Sequence, residues 1–242
     1  MMLEFIGCGS AFHTELGNNS AFYIKGQTLF LIDCGSSTFA RLRESGILQK
    51  ADRIHVVLTH THADHVGSLG DLVLYGYWII GKMAEPAVTV YAPKDLNIRM
   101  LLDMMGAEEK TYILKEFTPG EEIEIPELSI RFEAVPVRHV PELHCFGYVL
   151  RIQNELIYYS GDCCEIPASI LEKLTGGAFG AFYQDTCKAD YEDNVHLSLR
   201  KLAEIIGPAF RDKVYCMHQD EGFDRDEAEK LGFQVVKPYG EK

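Results

Sequence analysis

Short apolar segments rich in β-branched residues alternate along the chain with segments that have the spacing of amphipathic helices. The first kind of segment predicts strands and the second predicts helices. Strands are expected at residues 3–6, 21–24, 28–32, 53–58, 88–91, 111–117, 128–135, 146–152, 155–159, 178–184, 214–217 and 233–236. Helices are expected at residues 39–48, 66–80, 93–105, 166–174, 195–206 and near 224–231.

This order of elements is typical of the α/β class. Runs of strands with helices between and after them predict two sheets that are covered by helices on their outer faces. A chain of 242 residues fits one large domain or two small halves packed together. Because no linker or repeat divides the chain, we predict one domain over residues 1–242.

The composition is that of an ordinary globular protein, with 47% hydrophobic and 24% charged residues. No apolar stretch approaches the roughly 20 residues of a membrane span, and the amino terminus has no secretory signal pattern. The seven cysteines form no disulfide framework. A redox or metal role for Cys163 and Cys164 is disfavoured, because adjacent cysteines rarely bridge well. These features predict a cytoplasmic protein with reduced thiols and no membrane partner.

The charge of the chain is acidic, since 23 Lys and Arg stand against 36 Asp and Glu, for a formal net charge of −13. Proteins that bind nucleic acids usually present a basic face, and this sequence has no Lys/Arg cluster. We interpret the acidic run at residues 119–124 as solvated surface. The charge therefore argues against a nucleic-acid polymer as substrate, although not against a small anion held by metal ions.

The segment 59–67 contains three His and one Asp directly after a predicted strand. His60 and His62 are two residues apart, so an extended backbone points both side chains to one side. Asp64 and His65 lie on the turn that follows and can face a second ion. Imidazole nitrogen and carboxylate oxygen are ligands that zinc and similar ions prefer. The segment therefore predicts a metal site with two ions.

The pattern His-x-His-x-Asp-His followed by Gly resembles the signature of the metallo-β-lactamase superfamily, and the surrounding elements match over nearly the full chain. The resemblance implies an αββα four-layer sandwich, with two mixed sheets and helices outside. Asp33 would then support the metal loop without binding an ion. Asp162, in a Tyr-Ser-Gly-Asp sequence, would bridge both ions, and His218 would be the last ligand.

The third motif of the family places a His ahead of a Gly-Tyr pair, and both His139 and His144 precede Gly147 here. We favour His139 because it ends an apolar stretch, where a ligand at a strand end should lie; His144 is the alternative. The implied ligand sets are His60, His62, His139 and Asp162 for one ion, and Asp64, His65, Asp162 and His218 for the other. Two Zn²⁺ per chain are expected, with Mn²⁺ or Fe as alternatives.

Two ions a few ångströms apart deprotonate a shared water near neutral pH, and they stabilise both oxygens of a displacement. Asp64 can orient the resulting hydroxide as well as bind a metal, so it is also a predicted catalytic residue. This combination is chemistry for hydrolysis and not for redox turnover.

The sequence at residues 5–11 and 16–20 resembles the opening of the ribonuclease Z and phosphodiesterase branch of this superfamily. That branch implies that His196, at the start of the predicted 195–206 helix, protonates the leaving oxygen. Two features depart from ribonuclease Z. Ser36 replaces an acidic residue, and the stretch from His139 to Asp162 has no room for an arm that grips tRNA.

The remaining resemblance is to the compact cyclic-nucleotide phosphodiesterases of this branch, which include the anti-Pycsar enzymes. It implies that a homodimer hydrolyses a 3′,5′-cyclic nucleotide to the nucleoside monophosphate by a metal-bridging hydroxide. The alternatives are acyl hydrolysis of a thioester, lactone or β-lactam, and ribonuclease Z-like cleavage of tRNA; a non-enzymatic binding protein is disfavoured because every ligand is present. Some aromatic side chains could stack on a base, although residues at such spacing are more often part of the core. They are Tyr75, Tyr77, Trp78, Phe182 and Tyr183.

Overall fold

The computed structural model describes residues 3–241, which form two mixed β-sheets. The strands of the first, amino-terminal sheet are β1 (Glu4–Gly7), β2 (Ser20–Lys25), β3 (Thr28–Ile32), β4 (Arg53–Val57), β5 (Val88–Pro93) and β6 (Ile113–Phe117). The strands of the second, carboxyl-terminal sheet are β7 (Ile123–Ile125), β8 (Ile130–Val137), β9 (Cys145–Ile152), β10 (Glu155–Tyr159), β11 (Ala181–Asp185), β12 (Val214–Met217) and β13 (Gln234–Val235). In both sheets the strands lie side by side in chain order.

The α-helices within residues 3–241 are α1 (Thr38–Glu44), α2 (Ala63–Val66), α3 (Leu69–Tyr75), α4 (Ile98–Met104), α5 (Ala168–Thr175), α6 (Leu199–Ile205) and α7 (Arg225–Lys230). No helix in this range is both long enough and apolar enough to cross a membrane. The prediction of one domain over residues 1–242 stays a prediction.

The two sheets pack face to face on an apolar core. The rings of Phe30 in β3 and Phe132 in β8 lie 6.4 Å apart across this interface. In β11, Tyr183 joins the core between the sheets, whereas its neighbour Phe182 joins a second cluster with α5, α6 and α7. Successive side chains of a strand point to opposite faces, so these helices cover the outer face of the carboxyl-terminal sheet. The αββα architecture is confirmed.

The strands predicted at residues 28–32, 155–159 and 214–217 have the predicted bounds, and the helices differ more. The helix predicted at 66–80 is not continuous: α2 ends at Val66, and α3 and a π-helical turn at Gly76–Ile80 follow. The helix expected from residue 93 begins at Ile98, because Pro93 ends β5 and Asn97 has a left-handed backbone (φ 50°). The acidic run read as surface also contains the start of β7, in which Ile125 is buried.

The helix expected at residues 195–206 begins later than predicted. It starts at Leu199, since the Ser198 hydroxyl accepts a hydrogen bond from the backbone N–H of Lys201 and caps the helix. His196 was expected to start this helix, but it lies in the loop before it. The difference matters because a loop residue can turn its ring toward neighbouring strand ends.

Candidate metal centre

The predicted metal ligands converge at one edge of the two sheets. His60, His139, Asp162 and His218 each lie within three residues of the end of a strand, namely β4, β8, β10 and β12. Asp64 and His65 follow on α2. A loop after a strand end can present side chains at the edge of a sheet without interrupting its hydrogen bonds.

The first group contains His60, His62, His139 and Asp162. Nδ1 of His62 lies 3.0 Å from Nε2 of His60 and 3.3 Å from Nε2 of His139. Oδ2 of Asp162 lies 3.8 Å from both of those Nε2 atoms. These four side chains are therefore close enough to hold one metal ion between them.

The second group contains Asp64, His65, Asp162 and His218. Nε2 of His65 lies 3.4 Å from Asp64 Oδ2 and 3.2 Å from Asp162 Oδ1. Nε2 of His218 lies 3.3 Å from an oxygen of each carboxylate. Asp162 thus belongs to both groups, which is the arrangement of a residue that can bridge two ions.

The structure places His139 and His144 differently. His139 is buried, and its Nδ1 lies 3.0 Å from the backbone oxygen of Val195 while its Nε2 faces His62. His144 is exposed and belongs to neither group. The geometry therefore favours the residue that ends the apolar stretch.

Asp33 lies directly behind the segment 59–65. Its carboxylate accepts hydrogen bonds from the backbone N–H and the hydroxyl of Thr59, both at 2.8 Å, and lies 2.7 Å from Nδ1 of His65. Such a contact fixes the ring and directs its other nitrogen to a metal. The backbone of Gly35 lies so close to the Asp64 carbonyl that a Cβ would collide with it.

Asp185 is a functional residue that the sequence analysis missed. It ends β11, is fully buried, and lies 2.7 Å from Nδ1 of His196 and 3.4 Å from Nδ1 of His218. Its carboxylate also accepts a hydrogen bond from the backbone N–H of Cys163. The available signal was a carboxylate directly after an apolar strand, the same position that Asp33 has after β3.

Burial and charge act in opposite directions on the acids and imidazoles of the site. Burial lowers the pKa of His60 well below its ordinary value, which favours the neutral imidazole that binds metals. Burial raises the pKa of Asp162, but His218 and His65 more than offset it and hold this pKa well below its usual range. Burial lowers the pKa of His196, but the charge of the Asp185 carboxylate and its hydrogen bond to the ring more than offset this effect. The net pKa of His196 is therefore raised.

A cavity of about 780 Å³ opens over both groups. Its lining includes His62, Asp64, His139, Asp162 and His218, together with the ring of His196. This volume is in the range of sites for small molecules.

The aromatic residues considered for stacking do not line this cavity. Phe182 and Tyr183 are buried in the core, and Tyr75 packs on Phe39. Tyr77 and Trp78 also lie outside the lining. The aromatic residues of the lining are Phe12 and Tyr191, which carried no periodic or motif signal.

Known structures place this architecture in a recognised fold. The metallo-β-lactamase fold protein YhfI from Bacillus subtilis superposes with a TM-score of 0.77 at 16% identity, covering 98% of this chain and 96% of that chain. This likeness concerns the fold. Together with the His and Asp groups at the strand ends, this likeness defines the class of the protein: a metallo-β-lactamase-fold protein with a candidate metal centre.

Sequence comparison identifies the family within that class. Residues 1–239 match the sequence model of the family described as Anti-Pycsar protein Apyc1, and the chain belongs to this family. A relative of that description from Bacillus phage vB_BsuM-Goe3 is 43% identical over 240 residues, which cover 92% of this chain and 90% of the relative. A ribonuclease Z from Bacteroides thetaiotaomicron is 28% identical over 188 residues, or 73% of this chain and 56% of that protein.

Proposed function

We propose that this protein is a two-metal phosphodiesterase that hydrolyses a 3′,5′-cyclic nucleotide to the nucleoside monophosphate. The observation that carries the proposal is the position of His196, which is held by Asp185 and lines the same cavity as both metal-binding groups. The relationship to a ribonuclease, an enzyme that cleaves phosphodiester bonds, supports the same bond type.

A metal ion fits two buried atoms of the second group that lack a hydrogen bond. Nε2 of His65 and Oδ1 of Asp162 are buried without a hydrogen bond among the described residues. Polar atoms rarely remain so in a folded protein, and a cation would satisfy both. The proposed ligands are those of the two groups above, and their nitrogen and oxygen atoms suit Zn²⁺. Bound ions would activate water and neutralise charge on the phosphate.

Asp64 and His196 divide the proton transfers in this proposal. Asp64 lines the cavity, where its carboxylate can accept a hydrogen bond from the attacking water. The water gives a proton to Asp64, and its oxygen forms a bond to phosphorus as the bond from phosphorus to one sugar oxygen breaks. That oxygen takes a proton from His196, whose Nδ1 side is engaged by Asp185.

A His196→Ala variant tests the role of the leaving-group proton. We expect kcat for cyclic AMP to fall by about 10²–10⁴-fold, the usual contribution of a general acid. Hydrolysis of bis-p-nitrophenyl phosphate should change much less, because its aryl oxide leaves without a proton. The matched control is His144→Ala, which removes an exposed imidazole outside both groups.

Other outcomes of this assay contradict the proposal. An equal loss with both substrates would assign His196 to the metal-binding groups instead of to proton transfer. Hydrolysis of a lactone alone, unaffected by His196→Ala, would place the protein among the acyl hydrolases.

Light scattering tests the predicted homodimer, which should have twice the 27.3 kDa mass of one chain.

A further inference from the structure

Two exposed aromatic side chains lie at the solvent side of the metal cavity. Phe12, between β1 and β2, is 85% exposed, and Tyr191, between β11 and α6, is 59% exposed. Both line the cavity. A single exposed apolar residue is ordinary. Two of them on separate loops of one cavity are a surface for a ligand, and we call them the rim pair.

The loop that carries Phe12 is attached to the segment after β12. The backbone oxygen of Gln219 accepts a hydrogen bond from the N–H of Ser10 at 3.0 Å, and Nδ1 of His13 lies 3.1 Å from the same oxygen. Gln219 directly follows His218, a member of the second group. The position of Phe12 relative to the metal-binding side chains is therefore set by a short, hydrogen-bonded path.

The loop that carries Tyr191 is attached to the same segment, one residue further. The carboxylate of Asp220 accepts hydrogen bonds from the backbone N–H groups of Lys188 at 2.7 Å and Ala189 at 3.1 Å. His218, and the residues that anchor the two loops, are thus consecutive in the chain. This arrangement fixes the backbone of both loops, and so the points from which the rings of the rim pair extend, beside the metal-binding groups.

The charge of the cavity restricts what the rim pair can bind. Within residues 3–241 the lining contains Asp64, Asp162 and Asp220 but no Lys or Arg. A second anionic group at the rim would find no cationic Lys or Arg in the lining and would be repelled by the Asp220 carboxylate. The part of the substrate at the rim should therefore be uncharged, and the two aromatic rings favour a planar group that can stack on them.

We propose that Phe12 and Tyr191 bind the nucleobase of the substrate by stacking, while the metal-binding groups hold the phosphodiester. This inference rests on the proposed function and assigns a specificity surface to it. Stacking of a base on an aromatic side chain contributes enough binding free energy to change affinity by about 5- to 100-fold for each ring.

The test compares two substrates that differ only in the base. Cyclic AMP and 1-deoxyribose 3′,5′-cyclic phosphate share the fused phosphate ring, and the second has no base. In the metal-loaded protein, Phe12→Ala and Tyr191→Ala should each lower kcat/KM for cyclic AMP by about 5- to 100-fold, mainly through KM. Hydrolysis of the baseless ester should stay within about twofold, and Phe12→Tyr should retain activity on both.

Trp78→Ala is the matched control, because Trp78 is 50% exposed and lies outside the lining. Equal losses on both esters, or no loss on cyclic AMP, would overturn the stacking role while the proposed function stands. The proposed function fails in a different measurement, on the unaltered protein. If that protein neither hydrolyses nor binds, in calorimetry, any of cyclic AMP, cyclic GMP, cyclic CMP and cyclic UMP, both proposals are wrong.

Discussion

In each sheet, one strand has a buried carboxylate at its carboxyl end, behind the site. The two carboxylates have different neighbours. Asp33 follows β3 in the amino-terminal sheet, and Asp185 ends β11 in the carboxyl-terminal sheet. Asp33 contacts the backbone and hydroxyl of Thr59 and one imidazole, that of His65. Among residues 3–241, the hydrogen bonds of its carboxylate go only to the segment 59–65, and Asp33 does not line the cavity.

Asp185 instead connects two imidazoles with different roles. His196 faces the cavity as the proposed proton donor, and His218 belongs to the second metal-binding group. Burial raises the pKa of the Asp33 carboxyl. Burial also raises the pKa of Asp185, but His196 and His218 more than offset this effect. The net pKa of Asp185 is therefore lowered. The contacts of Asp33 are suited to fixing the segment 59–65, whereas Asp185 also reaches His196, on which it can stabilise positive charge.

Within this comparison of the two carboxylates, Asp33→Asn should have the largest effect. The amide would present an N–H group where the carboxylate accepts hydrogen bonds, so at least one buried donor loses its acceptor. We expect the free energy of unfolding to fall by about 2–4 kcal/mol. Metal affinity should fall by about 10- to 100-fold, because His65 loses the contact that orients it. Urea unfolding and elemental analysis after gel filtration measure the two effects.

The control for this variant is Asp52→Asn, which removes the same charge from an exposed position. Unchanged metal content in Asp33→Asn would show that the metal loop keeps its geometry without this carboxylate. That result would contradict the proposal that Asp33, unlike Asp185, acts by fixing the metal-binding segment.

Asp185→Asn should have a smaller effect on folding and a selective effect on turnover. At saturating metal, we expect kcat for cyclic AMP to fall by about 10- to 100-fold, since His196 loses the carboxylate that favours its protonated form. Bis-p-nitrophenyl phosphate should be affected less than fivefold or so, because it needs no leaving-group proton. A pair of steady-state assays at one pH checks this, and equal losses would mean that Asp185 acts only through His218.

Most of the architecture could be predicted from local patterns. The parallel strands β3 and β4 are buried on both faces, so β3 appears in the sequence as a nearly continuous apolar run, and His55 is the one polar residue among the buried positions of β4. The short strand β7 was not predicted, because its alternating Ile and Glu residues resemble an exposed acidic run. The start of α6 was also wrong, since Ser198, and not His196, provides the cap.

The site likewise has residues that could be predicted from the sequence and residues that could not. The segment 59–65 concentrates ligands within a few residues, and its spacing alone indicates a metal site. Asp185 has no such neighbours in the sequence, because the chain brings His196 and His218 to it only by folding. The rim pair was missed for a related reason. A loop has no periodicity, and an exposed aromatic residue indicates a binding surface only when the structure shows that it lines a cavity.

The smallest expected effect distinguishes the backbone of Asp185 from its side chain. The hydroxyl of Ser160 accepts a hydrogen bond from the Asp185 N–H at 2.9 Å, whereas the carboxylate is held independently by Cys163 and His196. Ser160→Ala should therefore cost about 1 kcal/mol of unfolding free energy. Activity on cyclic AMP should change less than about threefold, because the carboxylate keeps its contacts. Thermal unfolding with the same paired assays measures both quantities, and a loss as large as that of Asp185→Asn would show that Ser160 positions the carboxylate.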